Sequence, residues 1–377
     1  MSADQDAERQ RERPRRGIAP LLYIDEEWLA LHNEEVLAPQ LPIIDPHHHL
    51  WDRATPYLAP QLAGDLNCGH NIRGTVYIEC SFAYRTDGDP RFACVGEVEY
   101  ANGIAALFAS GYHGEVRACA GIIGKVDLSL GALAEEVLHA CMARAPSRFR
   151  GIRQMAAWDA SPDVNVLMRP PPKDLLLDPR FREGFSKLAP LGLSFDAWVY
   201  HPQLPQLIDL VDAFPDTRII VDHIGGLVAT GPYAIRKADH FDAWQSSMQT
   251  LAERPNVFVK IGGLNMRGHG CDFIDRTKPP TSEELALAWK PHVETCIEMF
   301  GADRCMFESN FPPDKCGVSA VVLWNAFKRL TAGCSDVEKA NLFADTAIRV
   351  YRLPQSLVQT EVSHIAEQNR QDGSGLT

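Results

Sequence analysis

Eight short runs rich in β-branched and other apolar residues recur between residues 42 and 309, separated by stretches whose apolar positions keep helical spacing. The runs are 42–47, 74–80, 116–126, 149–153, 193–199, 217–223, 256–261 and 304–309. Helix-like stretches include 95–110, 130–144, 203–213, 239–253, 283–299 and 318–331. Strands that alternate with helices predict parallel pairing through crossover connections. Eight such units fit a closed (β/α)8 barrel, an α/β fold, better than an open doubly wound sheet. No Gly-x-Gly-x-x-Gly follows the first run, which argues against dinucleotide binding. Two connections are long, 159–180 after the fourth run and 262–282 after the seventh. In a parallel barrel both would leave strand C-termini, where such folds build their sites.

The 377 residues divide by composition. Residues 1–18 are polar and hold the one basic cluster, Arg11, Arg13, Arg15 and Arg16, which predicts a disordered, solvated arm. Residues 19–40 predict an N-terminal helical extension, 41–355 the barrel, and 356–377 a polar C-terminal tail. The net charge of −12, with no basic stripe in the body, argues against a nucleic-acid partner. No run approaches the roughly 18 apolar residues of a membrane span. No apolar segment near the start resembles a secretory signal. The ten cysteines form no Cys-x-x-Cys pair, and Cys80, Cys119 and Cys305 sit in apolar runs. Reduced thiols and a cytoplasmic location are the expectation. A homo-oligomer is expected on base rates alone.

Chemistry concentrates where the runs end. Residues 41–52 read Leu-Pro-Ile-Ile-Asp-Pro-His-His-His-Leu-Trp-Asp. In an extended chain His47 and His49 share a face, with Asp45 in phase. Two imidazoles at the end of a buried strand are suited to a divalent metal. Other ends supply Glu79, Arg153 (with Arg150 at the start of its run), His201, Asp222-His223-Ile-Gly-Gly and Lys260. The last run leads into Glu308-Ser309-Asn310-Phe311-Pro312-Pro313-Asp314-Lys315. A lone histidine is more often a core residue. Four of them (His47, His49, His201, His223) at ends of one polarity point to a site. Guanidinium forks suit carboxylates, so Arg153, then Arg150, are the expected anchors for an acidic small-molecule substrate. Trp51 would add an aromatic wall. Lys260 would either stabilise an oxyanion or answer a buried carboxylate.

These segments resemble the amidohydrolase-related (amidohydrolase 2) family of metal-dependent hydrolases with a TIM-barrel fold. The likeness is to its 2-pyrone-4,6-dicarboxylate lactonase and L-fuconolactonase branch. It is carried by 43–52, by Gly-Ile-Ile-Gly-Lys-Val-Asp-Leu at 121–128 and by Arg-Phe-Arg-Gly-Ile-Arg at 148–153. Val-Asp-His-Ile-Gly-Gly at 221–226, Val-Lys-Ile-Gly-Gly-Leu at 259–264 and 304–315 complete it. The resemblance implies that His47, His49 and His201 are metal ligands and that His223 contacts metal or substrate. It also exposes a departure. Members usually carry Asp where this chain has Asn310, and an amide cannot take a proton as a carboxylate does.

Three readings follow from that departure. Glu79 or Asp314 takes over as base, or a bound metal alone activates water, or the chain is a binding protein that has lost hydrolysis. The expected activity is hydrolysis of a small, anionic cyclic ester (lactone) or amide. A non-oxidative decarboxylase or hydratase acting on a small carboxylic acid is the alternative. Zinc is the default metal for a histidine-rich site, manganese and iron also fit, and metal-free operation stays open.

Overall fold

The computed structural model describes residues 22–358, apart from 166–168, 236, 267 and 269–272. Each expected run becomes one strand: β1 (Ile43–His48), β2 (Ile72–Ile78), β3 (Arg117–Gly124) and β4 (Phe149–Arg153). Then come β5 (Ser194–Ala197), β6 (Ile219–Val221), β7 (Val257–Ile261) and β8 (Cys305–Phe307). All pair in parallel and in chain order. β8 returns to β1 through a parallel bridge between His48 and Phe311. His49 N donates to Phe311 O at 2.7 Å and Asn310 N to His47 O at 2.9 Å across that seam. The result is the (β/α)8 barrel that the pattern predicts.

Strand alternation sorts the side chains. Val257, Val259 and Ile261 of β7 join the large core between sheet and helices, so Phe258 and Lys260 turn inward. By the same period Phe195 and Ala197 face the helices, and Ser194 and Asp196 face the barrel axis. One end of the interior is apolar: Ile44, Val76, Ile78, Ile123, Ile220 and Met306 pack on Ile348, Val350 and Tyr351 of the helix Thr346–Tyr351. The strand C-termini at the other end carry the ionisable groups.

The N-terminal extension differs from expectation. Among its described residues only Glu26–Leu29 is helical, capped by Asp25, whose Oδ1 accepts from Trp28 N at 2.9 Å. Beyond that turn tertiary hydrogen bonds replace helical ones. Asn325 Oδ1 accepts from Leu37 N (2.9 Å) and its Nδ2 donates to Glu35 O (2.8 Å). Lys328 Nζ donates to Leu37 O (2.8 Å) and Ala38 O (2.9 Å). The helices Ala59–Leu66 and Pro179–Phe185 add to the stretches named above; both are short and carry proline in the first turn. The arm at 1–18 and the tail beyond residue 358 lie outside the described residues. Among the described residues no helix is long and apolar enough to cross a membrane, and the described cysteines are all free.

The outer core has a clear aromatic centre. Phe327, on the helix Ala320–Leu330, stacks on Phe307 of β8 with centroids 4.4 Å apart and packs on Trp289 and Trp324. Phe327→Ala is therefore expected to cost about 3–5 kcal/mol in urea unfolding. A loss under about 1 kcal/mol would mean that this stack is not what holds helix to sheet.

Candidate active site

β1 breaks its register between Asp45 and His48, where Pro46 removes an amide donor. Asp45 does not reach the mouth. Its Oδ1 accepts from Ser309 N (2.9 Å) and His47 N (3.2 Å), and its Oδ2 from Ser309 Oγ (2.6 Å). It thereby fastens β1 to the loop after β8, and burial pushes its pKa up to about 7. His48 turns away and meets Thr75 Oγ1 at 2.8 Å. His47 and His49 converge as the alternation predicts, with their Nε2 atoms 3.2 Å apart.

The partners of these rings fix what each nitrogen can do. His49 Nδ1 lies 2.9 Å from Ile78 O, which only accepts, so Nδ1 carries the proton and Nε2 the lone pair. His47 Nδ1 sits 2.8 Å from Glu308 Oε2 and 3.1 Å from Lys260 Nζ. With Nδ1–H on Glu308, His47 Nε2 also offers its lone pair. Two bonds of about 2.0–2.1 Å at a tetrahedral angle span about 3.3 Å, close to the separation found here. Burial, then Lys260, hold His47 well below the usual imidazole range; burial, then Arg153, do the same for His49. Both rings are neutral, the form a metal needs.

Around them lies a sealed charge network. Lys260 Nζ donates to Asp196 Oδ2 at 2.6 Å and sits 3.1 Å from Asp222 Oδ1. Burial opposes its charge, but Asp196, Asp222 and Glu308 outweigh burial and raise its pKa. Arg153 Nε donates to Glu79 Oε1 at 2.9 Å, its Nη2 donates to Glu79 O, and its Nη1 stands 3.3 Å from His47 Nε2. Four buried carboxylates (Glu79, Asp196, Asp222, Glu308) thus face two fixed cations. Neither oxygen of Asp222 receives a well-aligned hydrogen bond among the described residues. His47, Asp222 and His223 place ligand atoms within 4.8 Å of one another. Donor types, the neutral His47 ring and the surplus negative charge together make this a group able to hold a divalent metal.

His223 owes its place to backbone geometry. Residues 223–226 all have positive φ, +53°, +49°, +80° and +64°, so the chain turns left-handed directly after β6. Gly226 allows it, since a Cβ there would lie 1.8 Å from Val199 O. Gly263 makes room for the ring, since a Cβ there would lie 2.5 Å from His223 Cγ. His223 Nδ1 is 2.6 Å from Glu308 Oε1. Burial disfavours charge on His223, yet Glu308 outweighs it and the pKa rises. Burial likewise opposes the Glu308 charge, but His223 and His47 bring that carboxyl down to about 2. Nε2 of His223 is the atom left for chemistry.

Asn310 adopts φ +49°, a left-handed conformation that asparagine tolerates well. Its Nδ2 donates to Asp314 Oδ2 at 2.6 Å, and Asn265 N donates to Asp314 Oδ1 at 2.6 Å. Burial pushes Asp314 up to about 7.

The remaining expected residues fall elsewhere or into other roles. Arg150 is not brought to the group: Ser147 O and Phe149 O take its guanidinium at the start of β4. Arg153 is central but fully engaged, an internal strut and not an open fork. Glu79 is its partner, which leaves Glu79 poorly placed as a free base. Trp51 stacks on His49, centroids 5.8 Å apart. His201 is not in the metal-capable group; its Nδ1 accepts from Val228 N at 3.2 Å. Of the buried carboxylates here, Asp196 is absent from the residues the sequence points to, and Asp222 and Glu308 are among them without a role. Asp196 was signalled by parity alone, since Phe195 and Ala197 face outward. Asp222 and Glu308 stand at the strand ends already singled out.

A parallel barrel that gathers imidazoles and carboxylates at its strand C-termini has the architecture of a barrel enzyme. The chain belongs to the amidohydrolase family, whose model matches residues 44–353. It is 33% identical over 338 residues to the uncharacterized protein y4mH of Sinorhizobium fredii, covering 83% of this chain and 99% of that one. It is 30% identical over 193 residues to the L-fucono-1,5-lactonase of Burkholderia ambifaria, covering 51% and 55% respectively. An amidohydrolase from Burkholderia multivorans, solved with bound zinc, shares the fold with a TM-score of 0.64 at 21% identity, covering 83% and 99%.

Removing Lys260 tests the charge network. Lys260→Met leaves Asp196 and Asp222 without their shared cation and is expected to cost about 3–5 kcal/mol in chemical unfolding at pH 8. Unfolding at the urea concentration of the unaltered protein would show that Lys260 is dispensable to the interior.

Proposed function

We propose that this chain is a lactonase-like hydrolase that opens a small cyclic ester by attack of water at the barrel mouth. The observation that carries the reading is a pair of titratable groups there, both with raised proton affinity but of opposite charge type. His223 is held on Glu308 with raised proton affinity, and Asp314 is a buried carboxyl near neutrality. An imidazole kept protonated by Glu308 and a carboxyl that ionises near neutrality supply an acid and a base. The lactonase relative supports the same substrate chemistry.

His47 and Asp222, with His49 Nε2 3.2 Å from that of His47, would hold a divalent metal, and zinc, which is bound in the Burkholderia multivorans structure, is the first candidate. When bound, the metal polarises the ester carbonyl and makes water more acidic. The chain's own groups move the protons. Asp314 takes a proton from the attacking water as its oxygen bonds to the carbonyl carbon. The ring C–O bond breaks, and His223 Nε2 gives its proton to the departing oxygen. Glu308 keeps His223 charged and oriented until that step. The product is the open hydroxy acid; Asp314 then loses its proton to solvent and His223 regains one.

Because Asp314 must be ionised, kcat/KM should rise with pH through about 7. Because His223 must be protonated, it should fall again on the alkaline side. A pH-indicator screen of six-membered sugar lactones and aromatic lactones measures both. Asp314→Asn should lower turnover by about 10²–10⁴-fold and abolish the acid limb. Turnover within threefold of the unaltered enzyme would remove Asp314 from the role. Release of carbon dioxide from aromatic acids, with no lactone opened, would replace hydrolysis by decarboxylation.

Metal content offers a separate check. Elemental analysis should find a bound divalent ion that is lost in His47→Ala and retained in Asp314→Asn. Equal metal in all three proteins would place the ion elsewhere.

A further inference from the structure

We propose that Trp198 and His201, just after β5, form a subsite of two neutral hydrogen-bond donors that takes an uncharged oxygen of the substrate, a hydroxyl or a carbonyl. The proposal rests on the reading above only in needing a small oxygen-bearing ligand at this mouth.

The segment that carries both residues is tied down by hydrogen bonds. Ala156 N donates to Trp198 O at 3.0 Å, and Gln203 Nε2 donates to Ala156 O at 2.9 Å. Gln203 Oε1 in turn accepts from Trp158 N (2.9 Å) and Tyr200 N (3.1 Å). Donors on such a segment are pre-organised, so little ordering is needed when a ligand arrives.

Trp198 is 8% exposed, and no acceptor among the described residues meets its Nε1. A buried indole N–H without a partner is costly and calls for an explanation. The ring stands edge-on to His223, centroids 6.3 Å apart, with the Arg153 guanidinium 5.7 Å from its centroid. It therefore borders the group built from His47, Asp222 and His223.

His201 supplies the second donor by elimination. A backbone amide only donates, so His201 Nδ1, which accepts from Val228 N, bears the lone pair. The proton of the neutral ring is then on Nε2. Neither nitrogen is left to ligate a metal, which departs from the ligand role the family likeness implied. Val228 and Tyr233, which contact His201, share one apolar cluster with Trp198, so the two rings border a common patch. Tyr233 Oη is already committed to Asp159 Oδ2 at 2.7 Å.

Charge selects the kind of oxygen. The fork of Arg153, 5.7 Å from the Trp198 ring, is taken by Glu79. A carboxylate placed here would find only the neutral donors of Trp198 and His201 to answer its charge, whereas a hydroxyl or carbonyl brings no charge to answer.

Gluconolactam, an uncharged and hydrolysis-resistant analogue of a six-membered sugar lactone, is the probe, with isophthalate as the charged counterpart. The ¹H–¹⁵N spectrum of the full-length protein, as purified, is recorded with each. The indole resonance missing from Trp198→Phe should move downfield when gluconolactam is added. Calorimetry should show gluconolactam bound more tightly than isophthalate, and roughly three- to tenfold more weakly by Trp198→Phe and by His201→Phe. A stationary Trp198 resonance, undiminished affinity in both variants, or tighter binding of isophthalate would overturn the subsite. No step of the test depends on turnover, so absence of lactone hydrolysis would count against the proposed activity and leave this result standing.

Discussion

A lysine ammonium sealed inside a barrel must be answered by carboxylates, and here the answer fixes four strands at once. Lys260 on β7 reaches Asp196 on β5, Asp222 at the end of β6 and His47 on β1. Tyr351, from the helix that closes the apolar end, donates to the same Asp196 oxygen at 2.8 Å. The floor of the barrel and its chemical end are thus tied through one carboxylate. Desolvation alone would discharge these groups, and mutual contact prevents it. The imidazoles inherit their proton positions from this network: Glu308 and Lys260 decide His47, and Glu308 decides His223.

The fold was legible because its signal is periodic and repeated. Eight apolar runs became eight strands, with bounds displaced by a few residues at most. The extension was misread because its carbonyls are taken by Asn325 and Lys328, almost three hundred residues away, and local pattern holds no trace of such partners. At the site, His47 and His49 were legible from alternation alone. Asp196 needed knowledge of which face of β5 is inward, and only its neighbours Phe195 and Ala197 carry that. Arg153 was seen at the right strand end, but its pairing with Glu79 spans 74 residues and turns an expected anchor into a strut. His201 was seen as a ligand because residue type is visible in sequence, whereas a backbone amide pointing at Nδ1 is not.

Asn310 stands where the family resemblance leads one to expect aspartate, and its surroundings are consistent with an amide. Asn310 Nδ2 lies 2.6 Å from Asp314 Oδ2. An aspartate at 310 would set two buried carboxyls within a hydrogen bond of each other, and one would have to keep a proton. With asparagine the amide donates, and Asp314 can ionise near neutrality in spite of its burial. Asn310 also holds its positive φ at little cost while its backbone N–H closes the seam to β1. A carboxyl lost from the strand end and one kept a helical turn further on are therefore linked choices. The same loop carries Ser309, which locks Asp45, and Glu308, which charges His223. A substitution at 310 acts on the seam and on Asp314 together, so the reverse exchange to aspartate would disturb both and cannot be treated as the simple restoration of a carboxylate.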